Sequence, residues 1–344
     1  MTIRVQQAAF ADQARWDLYV AQHPQALLAH QFAWFGLLQK TFRIRPVYWI
    51  AENAGKVVGI APFFQRYHPG LGRRLTSVPY LNTGGILADN PESRDLLWEG
   101  ISVWAAKNRV DTIELRSRYD PLPQFALREG RSVSVIRLPE TETQAWDSLR
   151  PSARNRIRKA ENADFRVRHG LDDLYYFWPV YAENMHLLGA PVLTRNFFHN
   201  LARTETLQPH LIALEQQGKI VAGMVLTVFK DGAENGWTSS TKAARSAYAN
   251  DLLYWEAVRW AVSRGLRWLD LGRSESGGGH ERFKEKFNAV STALPYQEIH
   301  RQGNHWQAVS EEPERLYTVF RTIWKKLPVP LATRIGPYVS RQIY

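Results

Sequence analysis

The sequence has no cysteine and only three methionines in 344 residues. Without a thiol there is no disulfide framework, no thiolate nucleophile and no Cys-ligated metal centre. The ten histidines offer no substitute, since none falls in His-Glu-x-x-His or another close ligand spacing, and no metal site is expected. No run approaches the ~20 apolar residues that span a bilayer. Met1 to Arg15 carries scattered charges and no apolar centre, which argues against a signal or transit peptide, and a cytoplasmic protein is expected. Acidic residues are also in short supply: 33 Asp and Glu face 44 Lys and Arg, a net charge of +11. That balance favours anionic partners, whether nucleic acid, a phosphorylated carrier or an acidic membrane face.

What is present is a large apolar fraction, 44%, with 13 tryptophans, in a chain long enough for two domains. The most informative stretch runs from Asp251 to Asn288. Leu252, Leu253, Trp255, Ala257, Val258 and Val262 mark an amphipathic helix that Gly265 stops, and Leu266 to Leu271 forms a short strand. Gly272, the Gly277-Gly278-Gly279 run and Phe283-Lys284-x-x-Phe287 then break the regular pattern. The helix and strand occur twice, because a shift of 156 positions lays Asp95, Leu96, Leu97, Trp104, Ala105 and Leu115 on Asp251, Leu252, Leu253, Trp260, Ala261 and Leu271. Ahead of each copy stands a predicted β-hairpin, Val47 to Phe64 and His210 to Phe229, with Gly55-Lys56 and Gly218-Lys219 in the turns. The unrepeated part, after Leu271, is where chemistry is expected.

The order helix, antiparallel hairpin, strand, helix, strand, present twice, predicts an α/β (α+β) protein of two tandem domains. Each would be a mixed, largely antiparallel sheet flanked by helices. The boundary is expected between Pro139 and Pro151, giving domains over 1–147 and 148–300. A basic amphipathic tail over 301–344 carries Leu316, Val319, Phe320, Ile323 and Leu327 at helical spacing beside Arg321, Lys325 and Lys326, ended by Pro328 and Pro330. Such a tail either lies on an anionic membrane surface or docks back onto the domains, the commoner fate. Ser152 to Glu161 reads as a basic helix with Arg154, Arg156, Arg158 and Lys159 in six positions. It is either a phosphate-binding face or a solvated one.

Several segments together resemble the FemAB family of two-domain GNAT-like transferases, in particular the FemAB-like proteins associated with exosortase/PEP-CTERM and exopolysaccharide systems. Gly84-Gly85-Ile86-Leu87 with Asp89 is similar to the family's Gly-Pro-apolar-apolar-Asp segment. Arg154 to Ala160 is similar to its basic helix. Trp237 to Ser240, Asn250 to Leu253, Gly265 and Asp270-Leu271-Gly272 follow its second-domain order, and Phe283-Lys284-Glu285-Lys286-Phe287 is similar to its Phe-Lys-x-Gly-Phe motif. Three departures stand out: Gly85 replaces Pro, Asp89 sits one residue late, and Lys286 replaces Gly.

The resemblance implies transfer of an acyl or aminoacyl group from an activated ester to an amine of a cell-envelope, exopolysaccharide or peptidoglycan-type precursor. It implies no tightly bound cofactor and leaves two co-substrates open, aminoacyl-tRNA and acyl-CoA. Gly272-Arg273-Ser274-Glu275-Ser276 lacks the last Gly of a nucleophile elbow, so direct attack by the amine is expected. Direct attack needs a group to orient or deprotonate the amine and positive charge at the developing oxyanion. Asp89 and Lys284 are the catalytic candidates for these two roles. Arg154, Arg156, Arg158 and Lys159 are candidates for holding phosphates of an anionic substrate, tRNA included. Tyr80, Asn82, Ser239, Ser240, Asp270 and Arg273 are substrate-binding candidates expected to line a cleft between the domains. Rival readings are an acyl-CoA-dependent N-acyltransferase on a small amine and a catalytically silent scaffold in glycan assembly, with peripheral contact at the inner membrane through the tail.

Overall fold

The computed structural model describes residues 2–68, 70, 72–303, 305–308 and 314–343. The chain folds as two units, Met1–Glu129 with Leu294–Pro313 and Arg341–Tyr344, and Gly130–Ala293 with Glu314–Ser340. The first begins with β1 (Arg4–Gln7), α1 (Gln13–Gln22) and α2 (Ala33–Phe42), followed by β2 (Arg45–Asn53), β3 (Lys56–His68), β4 (Gly72–Ser77) and β5 (Leu87–Ala88). Ala54 and Gly55, both at positive φ, make the two-residue turn that joins β2 to β3 with the twist of a right-handed hairpin. Next come α3 (Pro91–Lys107) and β6 (Thr112–Arg116). Asn90 caps α3 by accepting the Ser93 amide at 2.9 Å, and Pro91 occupies the first turn, where its missing N–H costs nothing.

The second unit contains β7 (Arg131–Arg137), α4 (Glu142–Ser148), α5 (Pro151–Glu161), β8 (Arg166–His169), α6 (Leu174–Leu188) and α7 (Arg195–Ala202). β9 (His210–Gln216) and β10 (Lys219–Phe229) form its hairpin through Gln217 and Gly218, again both at positive φ. β11 (Gly232–Ser240), α8 (Lys242–Ser246), α9 (Ala249–Ser263), β12 (Trp268–Glu275), α10 (Gly279–Glu285) and β13 (Val290–Ala293) complete the run. β14 (Tyr296–Gln302) and β15 (His305–Ala308) return to the first sheet, and α11 (Glu314–Lys326) and α12 (Val329–Ile343) close the chain.

The first sheet has the order β1-β2-β3-β4-β6-β14-β15, with β5 on β3, and the second β13-β7-β12-β11-β10-β9-β8. Among the strands of the described residues β4 with β6 and β11 with β12 run parallel, and the other strand pairings are antiparallel. Each sheet buries one face under its repeated helix. In the first, Phe63, Leu75, Ile113 and Ile299 pack with Leu97 and Ile101 of α3; in the second, Met224, Leu226 and Leu269 pack with Leu253, Ala257 and Ala261 of α9. The expected repeat of hairpin, helix and strand is thus present, with Thr112 of β6 and Trp268 of β12 both opening their strands.

Connectivity differs from the linear division drawn from the sequence. β7, which follows β6, pairs with β12 in the second sheet, whereas β14 pairs with β6 in the first. The sequence-based boundary at 147/148 therefore falls inside the second unit, and Leu294–Pro313 belongs to the first. Alternation marks Arg131 to Arg137 as a strand without naming its partner, because pairing across a crossover leaves no local signal. The stretch after Ile299 is likewise strand before it is helix. Pro328 and Pro330 do not end the tail: they separate α11 from α12, with Pro330 tolerated in the first turn of α12. Residues 304, 309–313 and 344 of that tail lie outside the described residues. No helix among the described residues is long and apolar enough to cross a membrane.

Candidate active site

In the second unit the parallel strands β11 and β12 pair only from Gly232 with Trp268 to Glu234 with Asp270. Beyond that point each strand carries an irregularity toward its other neighbour. The β10 ladder shifts between Val225 and Leu226, opposite Gly236, and the β7 ladder shifts between Asp270 and Arg273. Bulges bend a strand and increase its twist. Here they leave Trp237–Ser240 and Gly272–Glu275 joined by no ladder pair among the described residues. The floor of this wedge holds two buried acids, Glu234 and Asp270, side by side in register.

Lys284 anchors the β12 side. It comes from α10, is 3% exposed, and its Nζ donates to the carbonyls of Gly272 at 2.7 Å and Arg273 at 3.2 Å. Gly272, at positive φ, gives its amide to Asp270 Oδ1 at 2.7 Å. Lysine and aspartate thus fix both polar groups of the glycine at the bulge. Burial brings the Lys284 ammonium down to about 8, against the pull of Asp270 and Glu281, which favour its charge. Arg273 is exposed on the same bulge. Phe283 and Phe287 of the motif pack on Tyr254 of α9 at 5.0 and 5.5 Å, which holds α10 in place.

The β11 side ends in Ser239 and Ser240, both buried. Ser239 Oγ accepts from Asn184 Nδ2 at 3.1 Å, and Ser240 Oγ donates to Asn250 Oδ1 at 2.8 Å. Arg245 of α8 links the two by donating to Asn184 Oδ1 at 2.6 Å and the Ser240 carbonyl at 2.8 Å. Asn184, Arg245 and Asn250 were not among the residues singled out for the site. Asn250 and its neighbour Asp251 were nevertheless visible in the family-like segment, whereas nothing local marks Asn184 on α6.

The first turn of α9 carries a buried carboxylate, Asp251, paired with Lys286 Nζ at 2.9 Å. Lys286 also sits over the Phe283 ring at 4.1 Å. The departure from the family's glycine thus supplies the counter-charge that Asp251 requires once buried. Arg156 and Lys159 of α5 lean on the ring of Tyr248, the residue that opens α9, at 5.7 and 5.8 Å, and Arg158 on Trp146 at 5.5 Å. Arg154 donates to the Asp147 carbonyl at 3.2 Å. The basic helix therefore stands at the start of α9 with its charged ends toward solvent.

Asp89, Tyr80 and Asn82 belong to the first unit. Asp89 is exposed, accepts the Tyr19 hydroxyl at 2.9 Å and lies 3.8 Å from His23 Nε2. It follows Ala88, which with Leu27, His30, Gly84, Ile86 and Tyr119 lines a small surface depression. Gly85 has φ +95°, and a Cβ there would stand 2.7 Å from Ser117 Oγ. The family's proline, fixed near −65°, has no place on this backbone path. Tyr80 stacks on Phe42 at 4.2 Å, and the Asn82 carbonyl accepts from the Tyr296 hydroxyl. Among the described residues no cluster of three or more His, Asp or Glu side chains is placed to hold a metal.

A helix beginning beside two parting parallel strands, on a mixed sheet repeated twice, is the fold of tandem GNAT-type proteins. Residues 147–285 match the acetyltransferase (GNAT) domain family. Among solved structures, FemX is similar at 10% identity with TM-score 0.64, over 92% of this chain and 100% of that one. A tandem GNAT protein from the clavulanic acid biosynthesis pathway follows at 11% identity and TM-score 0.57, over 87% and 98%. L-PGS from Bacillus licheniformis is similar at 13% identity and TM-score 0.52, over 94% and 97%. At these identities the likeness is one of fold. Comparison with curated protein sequences finds no match.

Proposed function

We propose that the second unit transfers an acyl or aminoacyl group from an activated ester to the amine of a cell-envelope, exopolysaccharide or peptidoglycan-type precursor. The observation that carries this is the wedge between β11 and β12, whose open strand edges meet beside the start of α9 while Lys284 and Asp270 hold the bulge on one side. A wedge of this kind presents fixed backbone groups to an acyl carbonyl. In the reaction the amine nitrogen bonds to the carbonyl carbon and the bond from that carbon to the ester oxygen breaks. The nitrogen loses one proton, and the departing oxygen gains one. Lys284 acts chiefly by positioning the bulge and by placing its charge beside the developing oxyanion. The resemblance to FemAB-like proteins of exosortase systems gives the acceptor class, and the basic face of α5 suits an anionic substrate at the cytoplasmic face of the membrane.

The first turn of α9 bears on the donor. A helix N-terminus is a ready anion site, and here the first turn carries the Asp251 carboxylate, paired with Lys286. The basic face of α5, with Arg156, Arg158 and Lys159, suits the phosphates of an aminoacyl ester such as aminoacyl-tRNA. The GNAT-domain match keeps acyl-CoA as the second reading. A transfer assay with charged tRNA or acetyl-CoA, each with and without ribonuclease, tests this. We expect tRNA-dependent activity that ribonuclease abolishes and that weakens steeply with salt. Turnover with acetyl-CoA that ribonuclease leaves untouched would establish the second reading instead.

A further inference from the structure

The two helices of the tail, α11 and α12, each dock on the second unit by one face. Trp324 of α11 is 4% exposed and stacks on Phe320 at 5.4 Å, and His186 Nε2 of α6 donates to the Leu327 carbonyl at 2.9 Å. Two glycines let the backbones come close. A Cβ on Gly189, which ends α6, would stand 3.0 Å from the Arg321 carbonyl, and one on Gly336 of α12 would stand 2.7 Å from Val192. Ala332, Gly336 and Ser340 recur every four residues and are all buried, which marks the docked stripe of α12.

The faces turned away from these contacts are apolar and open. Val319 and Ile323, one turn apart on α11, are 56% and 58% exposed, and Leu331 and Tyr338, two turns apart on α12, are 44% and 74% exposed. Exposed cations are their helical neighbours: Lys326 follows Ile323 by three positions, and Arg334 lies three after Leu331 and four before Tyr338. Docking on the protein, one of the two fates open to the tail from its sequence, thus leaves the other fate available to the same helices. Exposed apolar groups gathered in this way on a rim of charge mark an interaction surface.

Charge selects the partner. Residues 315–344 hold six cations, Arg315, Arg321, Lys325, Lys326, Arg334 and Arg341, and no Asp or Glu, which is more than half of the chain's net +11. A second copy of this face would set like charges against one another. An anionic bilayer accepts both components at once, because Lys and Arg stems lie along apolar surface while their heads reach lipid phosphates. Neither helix is long and apolar enough to cross the bilayer, so the contact is made in the headgroup layer. We propose that α11 and α12 form a docking surface for an anionic membrane, with Val319, Ile323, Leu331 and Tyr338 entering the headgroup layer and Lys326 and Arg334 on lipid phosphates. This docking is separate from acyl transfer, and its test reads binding alone.

Flotation of the full chain with lipid vesicles provides that test. Vesicles of equimolar phosphatidylcholine and phosphatidylglycerol should carry the protein upward, vesicles of phosphatidylcholine alone should leave it behind, and added salt should release it. Ile323→Ser with Leu331→Ser, and separately Lys326→Gln with Arg334→Gln, alter exposed side chains only and should leave Tm unchanged. The first pair should weaken vesicle binding at least ~10-fold, and the second roughly 25-fold, at ~5-fold per cation. Val103→Ser, which removes an exposed apolar group from α3, and Arg156→Ala with Arg158→Ala on α5 should bind as the wild type does. The proposal fails if neither kind of vesicle carries the protein, if both carry it equally, if the tail variants float as the wild type does, or if the α5 variant loses binding while the tail variants keep it. A wild-type dimer in gel filtration that Ile323→Ser with Leu331→Ser dissolves, without vesicle binding, would assign this face to a second copy instead.

Discussion

At the residue scale, Lys284 joins what the sequence suggested with what only the fold reveals. The Phe-Lys-x-x-Phe pattern was legible because aromatic anchors at fixed spacing around a lone cation stand out from a helix or strand period. That the ammonium is buried and bonded to the carbonyls of Gly272 and Arg273 was not, since those residues are 12 and 11 positions away on another element. Its lowered value gives a pH dependence of definite sign. The ammonium is charged below about 8 and neutral above, so turnover should hold up to that point and fall as pH rises through it. Stability runs the other way, because between about 8 and 10.5 the unfolded chain holds a proton that the folded one has released, and the folded form gains as pH rises. Lys284→Met should cost ~10²- to 10³-fold in turnover and abolish the limb near 8, while Lys284→Arg should move that limb upward. A pH–rate profile of the three proteins checks both.

At the element scale, the hairpins, α3, α5, α9 and β6 could be read from the chain because each carries its own punctuation. Ala54-Gly55 and Gln217-Gly218 demand the left-handed turn, and Asn90 with Pro91 starts α3. The joint between α9 and α10 could not be read, since Asp251 and Lys286 lie 35 positions apart and neither is unusual alone. Both are nearly buried, so removing one partner leaves the other unmatched. Asp251→Ala should therefore destabilise the protein by about 3–5 kcal/mol. Changing the pair together, Asp251→Leu with Lys286→Met, should recover most of that loss, because two matched apolar groups leave no orphan charge. Urea unfolding of the single and double variants measures this, and a double variant no more stable than Asp251→Ala would show the pair to be unimportant.

At the scale of the whole molecule, the twofold repeat was legible and the trade of strands between its halves was not. Periodicity shows that Arg131 to Arg137 and Tyr296 to Gln302 can be strands, whereas partner choice depends on the sheet edge each one meets. The outcome governs where the chain can be cut. A protein ending at residue 147 keeps β7 but lacks β14, so β6 is left as an open, apolar edge. It should aggregate, and adding back β14 and β15 through a short linker while ending the first segment at residue 129 should yield a monomer of higher Tm. Gel filtration and calorimetry of the two fragments decide between them.

The same trade sets a clock on biosynthesis. Leu122 donates its amide to Gln297, 175 positions later. At ~5–20 residues per second, a ribosome takes roughly 10–35 s to cover that distance. Throughout this interval β6 of the nascent first sheet, paired with β4 on one side, waits with its other edge open, and only the arrival of β14 seals it. The first sheet, begun first, is completed only after β13 has ended the second, which makes this open edge a natural point for a chaperone to hold the growing chain.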